Sequence, residues 1–197
     1  MAKVFSLNEK EKQVCVGLAR RSIKNFFENN SALRLSDAEL KKLPKKLFEK
    51  KACFVTLNTG RERDLRGCIG HLQAIQELYK DVLDNAVSAA FEDHRFPPLS
   101  ERELANLHIE VSILTDPVDF EFSFPEVLYK ELRPGKDGLI IKKGHYSATF
   151  LPSVWKELPK KEDFLGQLCM KAGLSAEEWK RPGMKAQRYE AIKAIEK

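Results

Sequence analysis

The sequence predicts an α+β fold, and three observations carry the prediction. Apolar residues recur at helical spacing in some stretches, as in Leu78, Val82, Ala86 and Ala89. Other stretches, such as Ala52 to Leu57, are rich in β-branched and aromatic residues and read as strands. The two kinds follow one another without the regular alternation a doubly wound parallel sheet requires. At 197 residues the chain makes one large domain or two small, closely joined lobes. That length buries roughly 70% of the surface the unfolded chain exposes, so no staples are needed.

Taken in order, Ser6 and Glu9 form a capping-box pattern, and Cys15, Leu18, Ile23 and Phe26 continue at helical spacing. They predict a helix from about residue 7 to about residue 28, ended by Asn29-Asn30. Ser36-Asp37-Ala38-Glu39 repeats the capping signature, and Pro44 stops the short helix that follows. Ala52 to Leu57 is the first strand, Asn58-Thr59-Gly60 supplies a turn, and Leu65 to Leu72 returns as the second strand of a hairpin. A helix follows over about 76–91, closed off by Pro97-Pro98. Ser100 and Glu103 start a short helix, and His108 to Leu114 alternates with Ile109, Val111 and Ile113 on one face. Arg133 to Gly138 is a turn-rich loop before a short strand, Leu139 to Ile141, and Lys143-Gly144 turns the chain into Tyr146 to Leu151. Phe164, Leu165, Leu168 and Cys169 give a helix that stops at Gly173. Ser175 and Glu178 predict a last helix, and the tail from about 186 fits either a strand or a helix.

Composition narrows the function classes. Apolar residues make up 43% and charged residues 32%, an ordinary globular mixture, and the net charge is +5. The excess cations lie scattered in pairs such as Lys41-Lys42, Lys50-Lys51 and Lys160-Lys161, a solvated surface rather than a nucleic-acid footprint. Cys15, Cys53, Cys68 and Cys169 lack zinc-finger and iron–sulfur spacing. Few and widely spaced, they suggest reduced thiols in a cytoplasmic protein. Met1 to Lys12 is too polar for a signal peptide, and no apolar run approaches the ~20 residues of a membrane span. No metal site is expected, although His and Glu remain as donors for a single ion. No cofactor is readable.

The chemistry concentrates in Leu65-Arg66-Gly67-Cys68-Ile69-Gly70. Two glycines this close inside a strand call for a bulge, or for close approach of a ligand or another backbone. Strict alternation puts Arg66 and Cys68 on one face, away from Ile69. A neighbouring guanidinium favours the thiolate, which is the nucleophile. The competing reading is a small buried hydrophobe. No Cys–His pairing is legible: His71 faces the other way, and His108 serves only if its strand neighbours that of Cys68. Glu110, flanked by Ile109 and Val111, is either solvated or a poised carboxylate for acid/base work. Asp93-His94-Arg95-Phe96-Pro97-Pro98-Leu99 is either a rigid loop whose Asp93 and Arg95 bind a polar ligand, or a helix exit tied by an ion pair. Gly135 and Gly138 do not make a phosphate-binding loop.

These segments together resemble the AMMECR-one family. The likeness runs through Ala52 to Leu57, the Leu65 to Gly70 hexapeptide, Asp93 to Leu99, Ile109 to Leu114, Leu132 to Leu139, Leu151 to Trp155 and Phe164 to Leu174. It covers about 50 to 180, the hexapeptide matches the family hallmark in full, and the whole chain, 1–197, reads as one domain of this type. The resemblance implies an α+β fold of two lobes around mainly antiparallel sheet, with a cleft between them. It also implies that Arg66, Cys68, Asp93, Arg95 and Glu110 line a common site, beside which Gly67 and Gly70 are ligand-binding candidates. Microbial members are linked with Memo-type and radical S-adenosylmethionine proteins, which implies a modification pathway and partners of those kinds. His94 replaces the family's usual Pro, and His71 its usual small residue.

Two functional expectations follow. The first is an enzyme or enzyme subunit with Cys68 as nucleophile, Arg66 beside the thiolate and Glu110 as acid/base. The second is a binding or scaffold module whose glycine-flanked strand, at Gly67 and Gly70, admits a partner's backbone.

Overall fold

The computed structural model describes residues 5–122 and 124–197. The polar amino-terminal stretch weighed above begins in residues 1–4, outside the described residues. Five α-helices and eight strands are found among the described residues: α1 (Glu9–Asn29), α2 (Asp37–Leu40), β1 (Cys53–Thr59), β2 (Asp64–Gly70), α3 (Leu78–Phe91), β3 (Leu107–Leu114), β4 (Val118–Phe120), α4 (Pro125–Glu131), β5 (Gly138–Lys143), β6 (Tyr146–Phe150), α5 (Lys161–Lys171), β7 (Lys185–Tyr189) and β8 (Ala191–Ile195). The chain divides into two compact units, residues 1–114 with 192–197, and residues 115–191.

In the first unit a four-stranded sheet runs β2-β1-β3-β8. Val55 and Leu57 of β1 and Ile109, Val111 and Ile113 of β3 turn to one face, where α1 and α3 cover them with Val16, Leu18, Ile23, Val82 and Ala86. The alternating residues Thr56, Asn58, His108, Glu110 and Ser112 remain half-buried on the other face. A half-apolar strand has this consequence: period 2 sends every second side chain away from the core. Arg20 of α1 donates to the carbonyls of Leu104 (2.9 Å) and Leu107 (2.6 Å) and pairs with Glu196, which fastens the last strand beside β3.

In the second unit the sheet order is β4-β7-β5-β6. Its core gathers Phe120, Leu128, Leu139, Ile141, Trp155, Phe164 and Leu168, with the Trp155 and Phe164 rings stacked 3.8 Å apart. The Arg133 to Gly138 loop is tied from inside: fully buried Asp137 accepts from the Arg133 amide (2.8 Å) and guanidinium, and its carbonyl accepts from Trp155 Nε1 (2.8 Å).

Several boundaries differ from expectation. The cap of α1 is Asn8 rather than Ser6: the Asn8 side chain accepts from the Glu11 amide (3.0 Å), and Glu11 accepts the Asn8 amide (2.8 Å). Two overlapping capping patterns compete there, and the one nearer the apolar stripe forms. Asn58 and Thr59 complete β1 instead of turning the chain. The last helix expected at Ser175 is only a 3-10 turn, Glu178–Lys180. The tail is two strands, β7 and β8, with β7 paired to β4 and β5. The α5 helix does stop at Gly173, which takes a positive φ of 82°.

Candidate functional site on the open face of the first sheet

The hairpin pairing explains the glycine-flanked segment. Leu57 pairs with Gly67 while Asn58 pairs with Leu65, so Arg66 is the extra residue of a β-bulge. The bulge breaks the strict alternation that would set Arg66 on the same face as Cys68. The Arg66 guanidinium bonds Glu103 (2.6 and 3.3 Å) and the Pro98 carbonyl (3.3 Å). That contact holds the Glu103 carboxyl down at about 2, with Ser100 also donating to it.

The glycines have internal causes. A Cβ at Gly67 would stand 2.1 Å from the Ala89 carbonyl oxygen, because α3 lies directly on the strand. A Cβ at Gly70 would meet the Cys53 carbonyl oxygen at 2.4 Å and Phe54 at 2.5 Å. The backbone that approaches Gly67 is therefore the chain's own helix. This removes the physical basis for the expectation that Gly67 admits a partner's backbone.

Cys68 pairs with Thr56, and Thr56 pairs in turn with Glu110, so the three lie in one row across β2, β1 and β3. The Cys68 amide donates not to β1 but to Asp93 Oδ2 (2.8 Å). Thr56 and Cys68 are thus a non-hydrogen-bonded pair, the arrangement in which opposing side chains come closest. Cys68 Sγ lies 3.3 Å from Thr56 Oγ1. Glu110 extends the row to Lys193 (3.0 Å) and accepts from Ser112 Oγ (3.2 Å). Two interstrand spacings, roughly 9.5 Å, separate the Cys68 and Glu110 backbones, with Thr56 between them.

Asp93 and Arg95 finish the edge of β2. Arg95 donates to Asp93 through Nε (2.9 Å) and Nη2 (2.7 Å), and its Nη2 also reaches the Cys68 carbonyl (3.3 Å). A carboxylate accepting the Cys68 N–H and a guanidinium donating to its C=O stand where a neighbouring strand would. The Arg95 guanidinium, with the Cys68 amide, holds the Asp93 carboxyl well below the usual carboxylate range. Both arginines also lie over the Phe96 ring, at 5.9 Å for Arg66 and 5.5 Å for Arg95. Burial separates Cys68 from the other cysteines. Cys15 is pushed up to about 12 by desolvation, and Cys53 and Cys169 are raised by the same cause, whereas Cys68 is half-buried on the polar face.

Five of the expected residues thus meet around β2: Arg66, Gly67, Cys68, Asp93 and Arg95. Gly70 closes the strand, and Glu110 lies across Thr56 in the same row. His108 lies in the next row, opposite Asn58 and Leu65, so unlike Glu110 it is offset from Cys68 along the strands as well as two strands away. Thr56, Glu103 and Lys193 were missed. Thr56 stood at an outward position of a strand already recognised, and Glu103 was visible only as a capping residue. Lys193 gave no signal, since the tail had no assigned structure. No group of three or more potential metal-ligating side chains is found among the described residues.

The AMMECR1 family model matches residues 16–194. The chain belongs to the AMMECR1 family. The match extends well beyond the motif-bearing stretch of about 50 to 180. Among AMMECR1 relatives, the Methanocaldococcus jannaschii protein MJ0810 is 36% identical over 186 residues, covering 94% of this chain and 90% of that protein. A Methanosarcina mazei protein is 40% identical over 174 residues, covering 88% and 85%. The crystal structure of PH0010 from Pyrococcus horikoshii superposes with a TM-score of 0.80 at 35% identity, covering 96% of this chain and 93% of that one. The α+β architecture is therefore shared with a solved AMMECR1 structure. No helix among the described residues is long and apolar enough to cross a membrane.

Proposed function

We propose that this AMMECR1 protein is an enzyme or enzyme subunit whose reactive group is Cys68, working on a small substrate held over the open face of the first sheet. The observation that carries the reading is the row Cys68–Thr56–Glu110. It sets a half-buried thiol and a carboxylate on one face, two strands apart, with a hydroxyl between them. Cys68 supplies the nucleophile. The thiol proton passes to solvent, and Thr56 Oγ1 then donates to the sulfur. Glu110, released from Lys193 by substrate, exchanges a proton with the group that leaves or enters. Asp93 and Arg95 act on the Cys68 backbone rather than on a ligand. The link of the resembling family with Memo-type and radical S-adenosylmethionine proteins supports a modifying reaction as the setting for such a site.

The test is trapping. Native protein is exposed to a panel of small carbonyl and alkyl electrophiles, and adducts are located by peptide mass spectrometry. A retained adduct on Cys68, absent in Cys68→Ser and formed more slowly in Glu110→Gln with carbonyl electrophiles, supports the reading. Adducts distributed over Cys68 and the denatured-state cysteines alike would sink it.

A further inference from the structure

A second polar centre lies on the helix side of the first unit. Asp81, in the first turns of α3, is fully buried, yet its carboxylate is surrounded by donors. Oδ2 accepts the Cys53 amide (2.8 Å) and Asn85 Nδ2 (3.0 Å). Oδ1 is bonded to His71 Nδ1 (2.7 Å) and Gln76 Nε2 (3.3 Å). Surrounded in this way the carboxylate is the acceptor, so His71 Nδ1 carries the ring proton. Asn85 Nδ2 also approaches His71 Nδ1 at 3.3 Å. That contact is secondary, because the amide already serves Asp81 and the Cys53 carbonyl (3.2 Å).

The tautomer has a consequence. In the neutral ring this tautomer makes Nε2 the lone-pair nitrogen, with no hydrogen-bond partner among the described residues, on a ring whose side chain is 40% exposed. A carboxylate behind Nδ1 orients the imidazole and stabilises the positive charge the ring gains when Nε2 forms a bond, the logic of the hydrolase triad. The surroundings select the donor. Asp84 holds Gln76 (2.9 Å), Glu77 pairs with Lys80 (2.8 Å), and Lys50 lies across the bridge from Glu77, so the surrounding charges are largely paired with one another. Leu72 and Ile75, in the same short segment, are 51% and 58% exposed and suit an uncharged, apolar body.

We propose that His71, backed by Asp81, is a second reactive centre, an acyl-accepting imidazole for uncharged activated acyl compounds. The Nε2 lone pair forms a bond to the carbonyl carbon, and the bond from that carbon to the leaving oxygen or sulfur breaks, the leaving group taking the electron pair. Asp81 holds the Nδ1 proton of the resulting acyl-imidazolium. Water then adds to the same carbon, the C–N bond breaks, and a carboxylic acid departs; the other water proton goes to the expelled alkoxide or thiolate, and the free imidazole is restored. This centre is separate from the Cys68 face and does not depend on it.

The test uses diethyl pyrocarbonate as the acyl donor, in brief substoichiometric exposure of the full chain. Acylation is quantified at each histidine by peptide mass spectrometry. The exposed His94 and His145 are internal controls for access. The expected result is His71 acylated about tenfold faster than either control, with the lead lost in Asp81→Asn. Turnover of p-nitrophenyl acetate in a Cys68→Ser background should also fall in His71→Gln. His71 reacting no faster than His94 and His145 in the wild-type chain overturns the proposal by itself, whether or not Asp81→Asn folds. A lead that survives in a folded Asp81→Asn overturns the role of the dyad.

Discussion

Replacing Gly67 with Ala is the sharpest test of why the hexapeptide carries its first glycine. The added Cβ would lie 2.1 Å from the Ala89 carbonyl oxygen and 3.1 Å from its carbonyl carbon. Both are backbone atoms in the middle of the packed first unit, so no flexible side chain can swing aside. Relief requires α3 to move off β2 by about 1 Å, opening contacts between Ala86, Ala89 and the sheet. Overpacking of this kind typically costs about 1–3 kcal/mol, and a rigid backbone contact belongs at the upper end. For a chain of this size about 3 kcal/mol corresponds to a fall in Tm of roughly 6–12 °C. Thermal unfolding followed by circular dichroism reads it directly. A variant melting within about 2 °C of wild type would refute the close approach of α3 as the cause and return the glycine to a role in binding.

Three further outcomes follow from the same contacts. Asp93→Ala removes the carboxylate that accepts the Cys68 amide, a charge-assisted bond of about 1.5–3 kcal/mol; hydrogen exchange at the Cys68 amide should rise by at least about tenfold, and unchanged exchange would deny the clamp. Glu103 is held at about 2 by Arg66. Its folded pKa is depressed, so its contribution is present above the ordinary value of 4.5 and is lost as the pH falls toward 2. Urea unfolding should find Glu103→Gln less stable than wild type at pH 7, with the gap closing between about pH 4.5 and pH 2; a gap constant with pH would contradict the pairing. Lys193→Met frees Glu110 from its cation, and trapping of carbonyl electrophiles at Cys68 should change without loss of Tm; no change in trapping would remove Glu110 from the chemistry.

How much of this was legible in the sequence depends on which interactions are local. The hairpin, α3 and the alternating β3 were readable because periodicity reports burial over a few residues. The bulge at Arg66 was not, because it is defined by which residue of β1 faces which residue of β2, and one extra residue leaves no signature. Its effect was local: Arg66, the extra residue, bonds Glu103 and the Pro98 carbonyl, where strict alternation had set it beside Cys68. The glycines were recognised as unusual, but the helix that explains Gly67 arrives from Ala89, more than twenty residues on. Thr56 and Lys193 joined the site through pairing across strands, which no single segment encodes. His71 and Asp81 are ten residues apart in sequence and meet only because β2 ends beside the start of α3.

The most direct measurement of the central claim is the alkylation rate of each cysteine in the native protein. Iodoacetamide labelling is resolved by mass spectrometry and compared with a free small-molecule thiol at the same pH. Cys68 is expected to react faster than the free thiol despite its partial burial, while Cys15, Cys53 and Cys169 stay protected until the chain unfolds. If Cys68 reacts more slowly than the free thiol, or only on unfolding like the others, it is a packing residue and the Cys68–Thr56–Glu110 row is not a reactive site.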